Sequence, residues 1–140
     1  MDWDYLSMEE MNWQKREKRI RRFYSFDGYM SQCTSIAVGS HRYRMQVQCP
    51  GGHSYLDFGK DNAIQIAAEI IHELYRIIPP QQEYTTYNVG RIEGGSTVNS
   101  IAQEVTLLYE YRSASEACLQ VMKGKLNRVV NEFRAKGKKI

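Results

Sequence analysis

The chain switches between two hydrophobic periods. From His41 to Cys49 apolar and polar positions alternate, with Tyr43, Met45, Val47 and Cys49 on one side and Arg42, Arg44, Gln46 and Gln48 on the other. A period of two with one wet face predicts a strand of a half-exposed sheet. Val105 to Arg112 repeats the pattern, with Val105, Leu107, Tyr109 and Tyr111 sharing a face. Tyr84 to Ile92, rich in Tyr, Thr and Val, predicts another strand, and Cys33 to Val38 one more, ended by Gly39. Elsewhere apolar residues recur at three- and four-residue steps, as on one side of a helix. Ala63, Ile66, Ala67, Ile70, Ile71, Leu74 and Ile78 form one such stripe, with Asp61 as its expected N-cap and Pro79-Pro80 as its stop. Cys118, Val121, Met122, Leu126, Val129, Val130 and Phe133 form the second, in a helix expected to begin near Ser113 or Ser115.

The order strand, strand, helix, strand, strand, helix predicts an α+β fold. Its expected form is a two-layer ferredoxin-like sandwich, a four-stranded antiparallel sheet with two helices on one face. Residues 1–22 differ from the rest. Asp2, Asp4, Glu9 and Glu10 come first, then Lys15, Arg16, Lys18, Arg19, Arg21 and Arg22, an order that suits a helix macrodipole. They read as a lead-in helix, a remnant of a linker, ahead of one domain over 23–140.

Composition narrows the classes. At 140 residues with 42% hydrophobic content the chain can bury one core without staples. A net charge of +3 is too small to imply a nucleic-acid partner by itself. Cys33, Cys49 and Cys118 are odd in number and unpaired in spacing, so no disulfide framework is expected. The acidic start, Met1-Asp-Trp-Asp, is unlike a secretory leader, and no apolar run approaches the roughly 20 residues of a membrane span. A cytoplasmic location is the expectation.

Candidate chemistry is sparse. His72 beside Glu73 lacks the second histidine of a zinc-protease helix, because position 76 is Arg, and it reads as a surface residue. His41 opens a strand and reads as solvated. His53 follows Gly51-Gly52 in the loop before the first helix, where glycines permit unusual dihedrals. It reads equally as a turn histidine or as a donor to a substrate oxygen that gains negative charge. Asn99 follows the turn Gly94-Gly95-Ser96-Thr97, which lacks the following Lys and helix of a phosphate-binding loop. Arg112 ends an alternating strand and is either a solvated charge or a bidentate carboxylate ligand. The cluster at 15–22 holds six Lys or Arg in eight residues, which raises an RNA-binding alternative. The sheet aromatics that stack bases in such modules are missing.

Two segments carry a family likeness. Gly39-Ser-His-Arg-Tyr-Arg-Met-Gln-Val-Gln-Cys-Pro-Gly-Gly-His53-Ser-Tyr-Leu-Asp-Phe-Gly-Lys-Asp-Asn62-Ala63 resembles the opening of the lid domain of the zinc amidohydrolases and peptidases. That family includes acetylornithine deacetylase, succinyl-diaminopimelate desuccinylase, aminoacylase, tripeptide aminopeptidase and glutamate carboxypeptidase. Tyr87-Asn-Val-Gly-Arg-Ile-Glu-Gly-Gly-Ser-Thr-Val-Asn99-Ser-Ile resembles the second half of the same domain, followed by the strand end Leu-Tyr-Glu-Tyr-Arg112-Ser. The likeness spans roughly residues 23–135.

The resemblance implies a domain inserted into a zinc catalytic domain and pairing two subunits as a homodimer, through a sheet edge and a helix. It implies that His53 stabilises an oxyanion in the partner subunit's active site, and that Asn99 and Arg112 bind the carboxylate end of an N-acyl amino acid or small peptide. The family's zinc ligands, a His-x-Asp pair, a Glu-Glu pair, a further acid and a distant His, do not occur as a set. The expectation is therefore a dimerisation and substrate-capping domain without its catalytic domain, either an excised piece or a truncated gene product. It should bind no cofactor itself, zinc belonging to the parent enzyme, and should be inactive alone. The alternative is a stand-alone ferredoxin-like binding module that takes nucleic acid through the basic N-terminal helix.

Overall fold

A computed structural model describes residues 37–140. Within them the order is β1 (Gly39–Gln48), β2 (Gly52–His53), α1 (Ala63–Tyr75), β3 (Thr85–Gly94), β4 (Ser100–Ile101), β5 (Glu104–Ser113) and α2 (Glu116–Ala135). Two of the three long strands, β1 and β5, are those the alternation marks, and β3 is the run rich in Tyr, Thr and Val. They form one antiparallel sheet in the order β1-β5-β3, while β2 and β4 make a separate two-residue ladder. The fold is mixed α+β with two helices and antiparallel sheets.

The four-stranded sheet expected from the sequence is three-stranded among the described residues. Of the strand expected at Cys33–Val38, residues 33–36 lie outside the described residues, and Ala37 and Val38 are irregular. The lead-in helix also lies outside them. Beyond β1 a single antiparallel bridge joins Gln48 to Lys139, with the Gln48 N–H donating to the Lys139 carbonyl at 3.0 Å.

Alternation sets which residues meet. On β5 the inward residues Val105, Leu107, Tyr109 and Tyr111 are at most 2% exposed, as is Val47 on β1. They pack under Ile66, Ala67, Ile70 and Leu74 of α1 and Met122, Leu126, Val129 and Phe133 of α2. Full burial of a side chain such as Leu107 is worth about 2 kcal/mol, so this layer carries the stability. On β3 the register slips between Val89 and Arg91. Gly90 is the extra residue of a bulge, where a strand glycine is most at home.

Helix ends and faces differ from expectation in detail. The α1 N-cap is Asn62, not Asp61; its Oδ1 accepts the Ile64 N–H at 2.9 Å. Asp61 instead takes the Lys138 ammonium at 2.7 and 2.8 Å. Helix α1 ends at Tyr75, short of Pro79-Pro80, because the residue before a proline avoids the α region. Past that end the phase changes, so Ile77 is buried and Ile78 is 75% exposed. In α2 the N-cap is Ser115, and Leu119 is buried where the stripe placed Val121, which is 47% exposed. His41 is not simply solvated: its Nδ1 meets the Tyr111 hydroxyl at 2.9 Å, and Tyr43 reaches the same hydroxyl at 2.7 Å. Cys49 and Cys118 are free thiols, and burial pushes the Cys49 thiol up.

Candidate functional site

The β2–β4 ladder brings two of the expected site residues together. His53 is the register partner of Ser100, and the Ser54 N–H donates to the Asn99 carbonyl at 2.9 Å. The corner is built almost entirely from hydrogen bonds. Gly52 turns the chain at φ +156°, and a Cβ there would lie 2.6 Å from an Asp57 carboxylate oxygen. That closeness is what lets Asp57 Oδ2 accept the His53 N–H at 2.8 Å. The Asp57 N–H returns a bond to the His53 carbonyl at 2.9 Å. Lys60 Nζ adds a bond to Asp57 Oδ1 at 2.6 Å. The Lys60 bond, then the His53 backbone bond, hold the Asp57 carboxyl below the usual aspartate range.

The same turn fixes the imidazole. The Tyr55 N–H donates to His53 Nδ1 at 3.3 Å. A neutral ring that accepts at Nδ1 carries its proton on Nε2, so His53 presents an Nε2–H donor from an exposed position. Asn99 is arranged alike. Thr97 Oγ1 donates to Asn99 Oδ1 at 2.8 Å, leaving the Asn99 Nδ2 hydrogens free to donate outward. Around it the Ser96 and Ser100 hydroxyls bond each other at 2.8 Å, and Ser100 Oγ donates to the Thr97 carbonyl at 2.8 Å. The Gly-Gly-Ser-Thr loop spends its polar groups on its own turn, so it is no phosphate cradle.

Arg112 stands elsewhere. It lies on the wet face opposite Ser40 and Thr86, at the far end of β5 from the Gln48–Glu104 pair next to the corner. Eight residues of strand separate Arg112 from Glu104, roughly 27 Å. There its Nε pairs with Glu110 at 3.0 Å. One copy of the domain therefore does not bring Arg112 to His53 and Asn99. The described residues also contain no group of three His, Cys, Asp or Glu placed to hold a metal ion. His72 is exposed on α1, and the basic cluster at 15–22 lies outside the described residues.

Sequence reasoning missed Asp57 as the brace of the corner. The signal was available, since a short acidic side chain four residues after a glycine pair can cap backbone donors. Nothing local could have placed Arg112 apart from Asn99, because their separation depends on strand direction.

Comparison with known proteins fits this architecture. Residues 37–138 match the model of the peptidase dimerisation domain. The chain belongs to that family, whose domains serve self-association beside a catalytic partner domain. Among solved structures, a tripeptidase from Staphylococcus aureus is 28% identical with a TM-score of 0.56, over 66% of this chain and 24% of its own. An aminobenzoyl-glutamate utilization protein from Klebsiella pneumoniae shows 24% identity and a TM-score of 0.65, over 71% and 25%. A hydantoinase/carbamoylase family amidase from Burkholderia multivorans shows 19% and 0.63, over 74% and 26%. The last two likenesses are of fold alone. The chain spans about a quarter of the length of the structures it matches. Among the described residues no helix is long and apolar enough to cross a membrane.

Proposed function

We propose that the chain is the dimerisation and substrate-capping domain of a zinc-dependent amidohydrolase or peptidase acting on N-acyl amino acids or small peptides. The observation that carries the capping role is the His53–Asn99 corner, where two side chains are held with hydrogen-bond donors directed away from their own braces. Donors fixed before a substrate arrives stabilise an oxyanion without reorganising as charge develops. His53 is the oxyanion donor, and Asn99 binds a neighbouring substrate oxygen. Zinc, held by the catalytic domain, would be the Lewis acid of such a reaction, and this domain's share is binding and charge stabilisation.

The homodimer uses the β3 edge and α1. Helix α1 lies along β3: the Tyr75 hydroxyl donates to Asn88 Oδ1 and accepts the Val89 N–H, both at 3.3 Å. At its other end Ile64 packs beside Gly95. Its side away from α2 carries Ile64, Ile71 and Tyr75, with Ile78 following, and Ile64, Tyr75 and Ile78 are about half exposed or more. An apolar helix stripe beside an open strand edge suits a two-fold contact, strand to strand and helix to helix. Such pairing also resolves the distance to Arg112: one cleft takes His53 and Asn99 from one subunit and Arg112 from the other.

Sedimentation equilibrium tests the pairing. The expected particle is twice the 16.3 kDa chain mass. Ile64→Glu, whose charge suits a helix N-terminus, should return it to monomer with the fold intact. A wild-type chain that stays monomeric at every concentration overturns the dimer. Metal-dependent amide hydrolysis by the purified chain overturns the purely capping role.

A further inference from the structure

The sheet face turned away from the helices holds a second polar site, whose nearer row, Gln46–Thr106–Glu93, stands two residues along the strands from the Gln48–Glu104 pair beside the corner. Arg42, Arg44, Arg91 and Arg112 stand on this wet face. Arg42 and Arg112 share Glu110, at 3.3 and 3.0 Å, and Arg91 pairs with Glu93. Arg44 has no carboxylate partner among the described residues. It forms one wall of a trough of about 330 Å³ lined also by Gln46, Arg91, Glu93, Thr106 and Leu108.

Register explains the trough. Arg44, Leu108 and Arg91 form one cross-strand row, and Gln46, Thr106 and Glu93 form the next. Long side chains therefore rise from both outer strands while short ones floor the middle strand. Backbones two strands apart stand about 10 Å from one another, the width of a single extended chain between its neighbours. With Arg91 and Glu93 offsetting each other, the trough carries one net positive charge, at Arg44. That charge favours a monovalent anion over phosphate, whose second charge would meet Glu93. Leu108 offers an apolar floor, and Gln46 and Thr106 offer both donors and acceptors.

We propose that this trough binds a carboxylate with a secondary amide next to it, as in an N-acyl amino acid or the C-terminal end of a peptide. The carboxylate sits on Arg44, the apolar body covers Leu108, and the amide meets Gln46 and Thr106. The site is distinct from Arg112, which lies four residues farther along β5, roughly 14 Å away.

Nuclear magnetic resonance titration of the 140-residue chain tests it, with N-acetyl-leucine as the probe. Signals of the Leu108 methyls, the Thr106 amide and the Gln46 side-chain amide should move together and saturate at millimolar concentration. N-acetyl-leucinamide, which lacks the carboxylate, should leave them in place. Arg44→Gln, an exposed change that should leave the fold intact, should weaken binding about tenfold, whereas Arg112→Gln should not. A peptide ending in the same residue that binds more tightly identifies a peptide end as the occupant; equal affinity identifies the free acyl amino acid. Shifts that never saturate, or that persist unchanged in Arg44→Gln, overturn the site. Shifts confined to His53, Asn99 and Arg112 also overturn it while leaving the capping role standing, and loss of the dimer would not bear on it.

Discussion

The sandwich and the β2–β4 corner are held by different forces. In the sandwich, buried Val47, Leu107, Ile70, Leu74 and Met122 interlock between sheet and helices, with none of them more than fractionally exposed. In the corner, His53 and Asn99 are exposed and their positions rest on hydrogen bonds to Asp57, Tyr55, Thr97 and Ser54. Core packing is dense and costly to disturb, whereas exposed hydrogen bonds exchange readily with water and contribute little net stability. The corner can thus be altered without unfolding the platform beneath it.

The largest expected effect separates the two. Leu107→Ala should cost about 3 kcal/mol in denaturant unfolding, since it opens a cavity beneath both helices. The His53 ring resonances should still report the native corner at low denaturant. Gly52→Ala should do the reverse. Its Cβ displaces the Asp57 carboxylate and forces an unfavourable φ, with an expected cost of about 1–2 kcal/mol. Its main readout is the loss of the His53–Asp57 bonds as amide-proton protection at His53 falls. Equal losses in both variants, in stability and in corner signals, would erase the distinction.

Within the core, two tyrosines sharpen the comparison. The Tyr111 hydroxyl bonds His41 and Tyr43, whereas the buried Tyr109 hydroxyl has no partner among the described residues. Burial pushes both phenols well above the usual tyrosine range. Tyr111→Phe should cost about 1 kcal/mol by thermal unfolding. Tyr109→Phe should cost nothing or stabilise slightly, because it removes an unsatisfied buried group. A penalty for Tyr109→Phe as large as that for Tyr111→Phe would show that the Tyr109 hydroxyl is bonded after all.

The smallest effect is a pH dependence confined to the corner. The Asp57 pKa is depressed in the fold, so its contribution is present above the ordinary aspartate value of about 3.9 and is lost as pH falls through the lower folded value. Acid titration followed at the His53 amide should show the corner loosening in that window, and Asp57→Asn should remove the transition. A transition unchanged in Asp57→Asn would assign it to another carboxyl.

The sequence by itself determined the three long strands and both helices, because alternation in β1 and β5, β-favouring residues in β3 and three-to-four-residue spacing in the helices are local signals. Its motifs also raised His53, Asn99 and Arg112 as candidates. It misassigned the α1 cap between adjacent Asp61 and Asn62, since either side chain can cap and only the chain path decides. Gly90 was visible as a residue but not as a bulge, because a bulge exists only against a partner strand. Tertiary structure alone decided that His53 and Asn99 share a corner while Arg112 lies at the opposite end of β5, and that Arg44 faces an open trough whose one carboxylate, Glu93, is paired with Arg91. Those facts depend on strand order, direction and register. Pairing between segments distant in the chain sets them, and no local pattern records it.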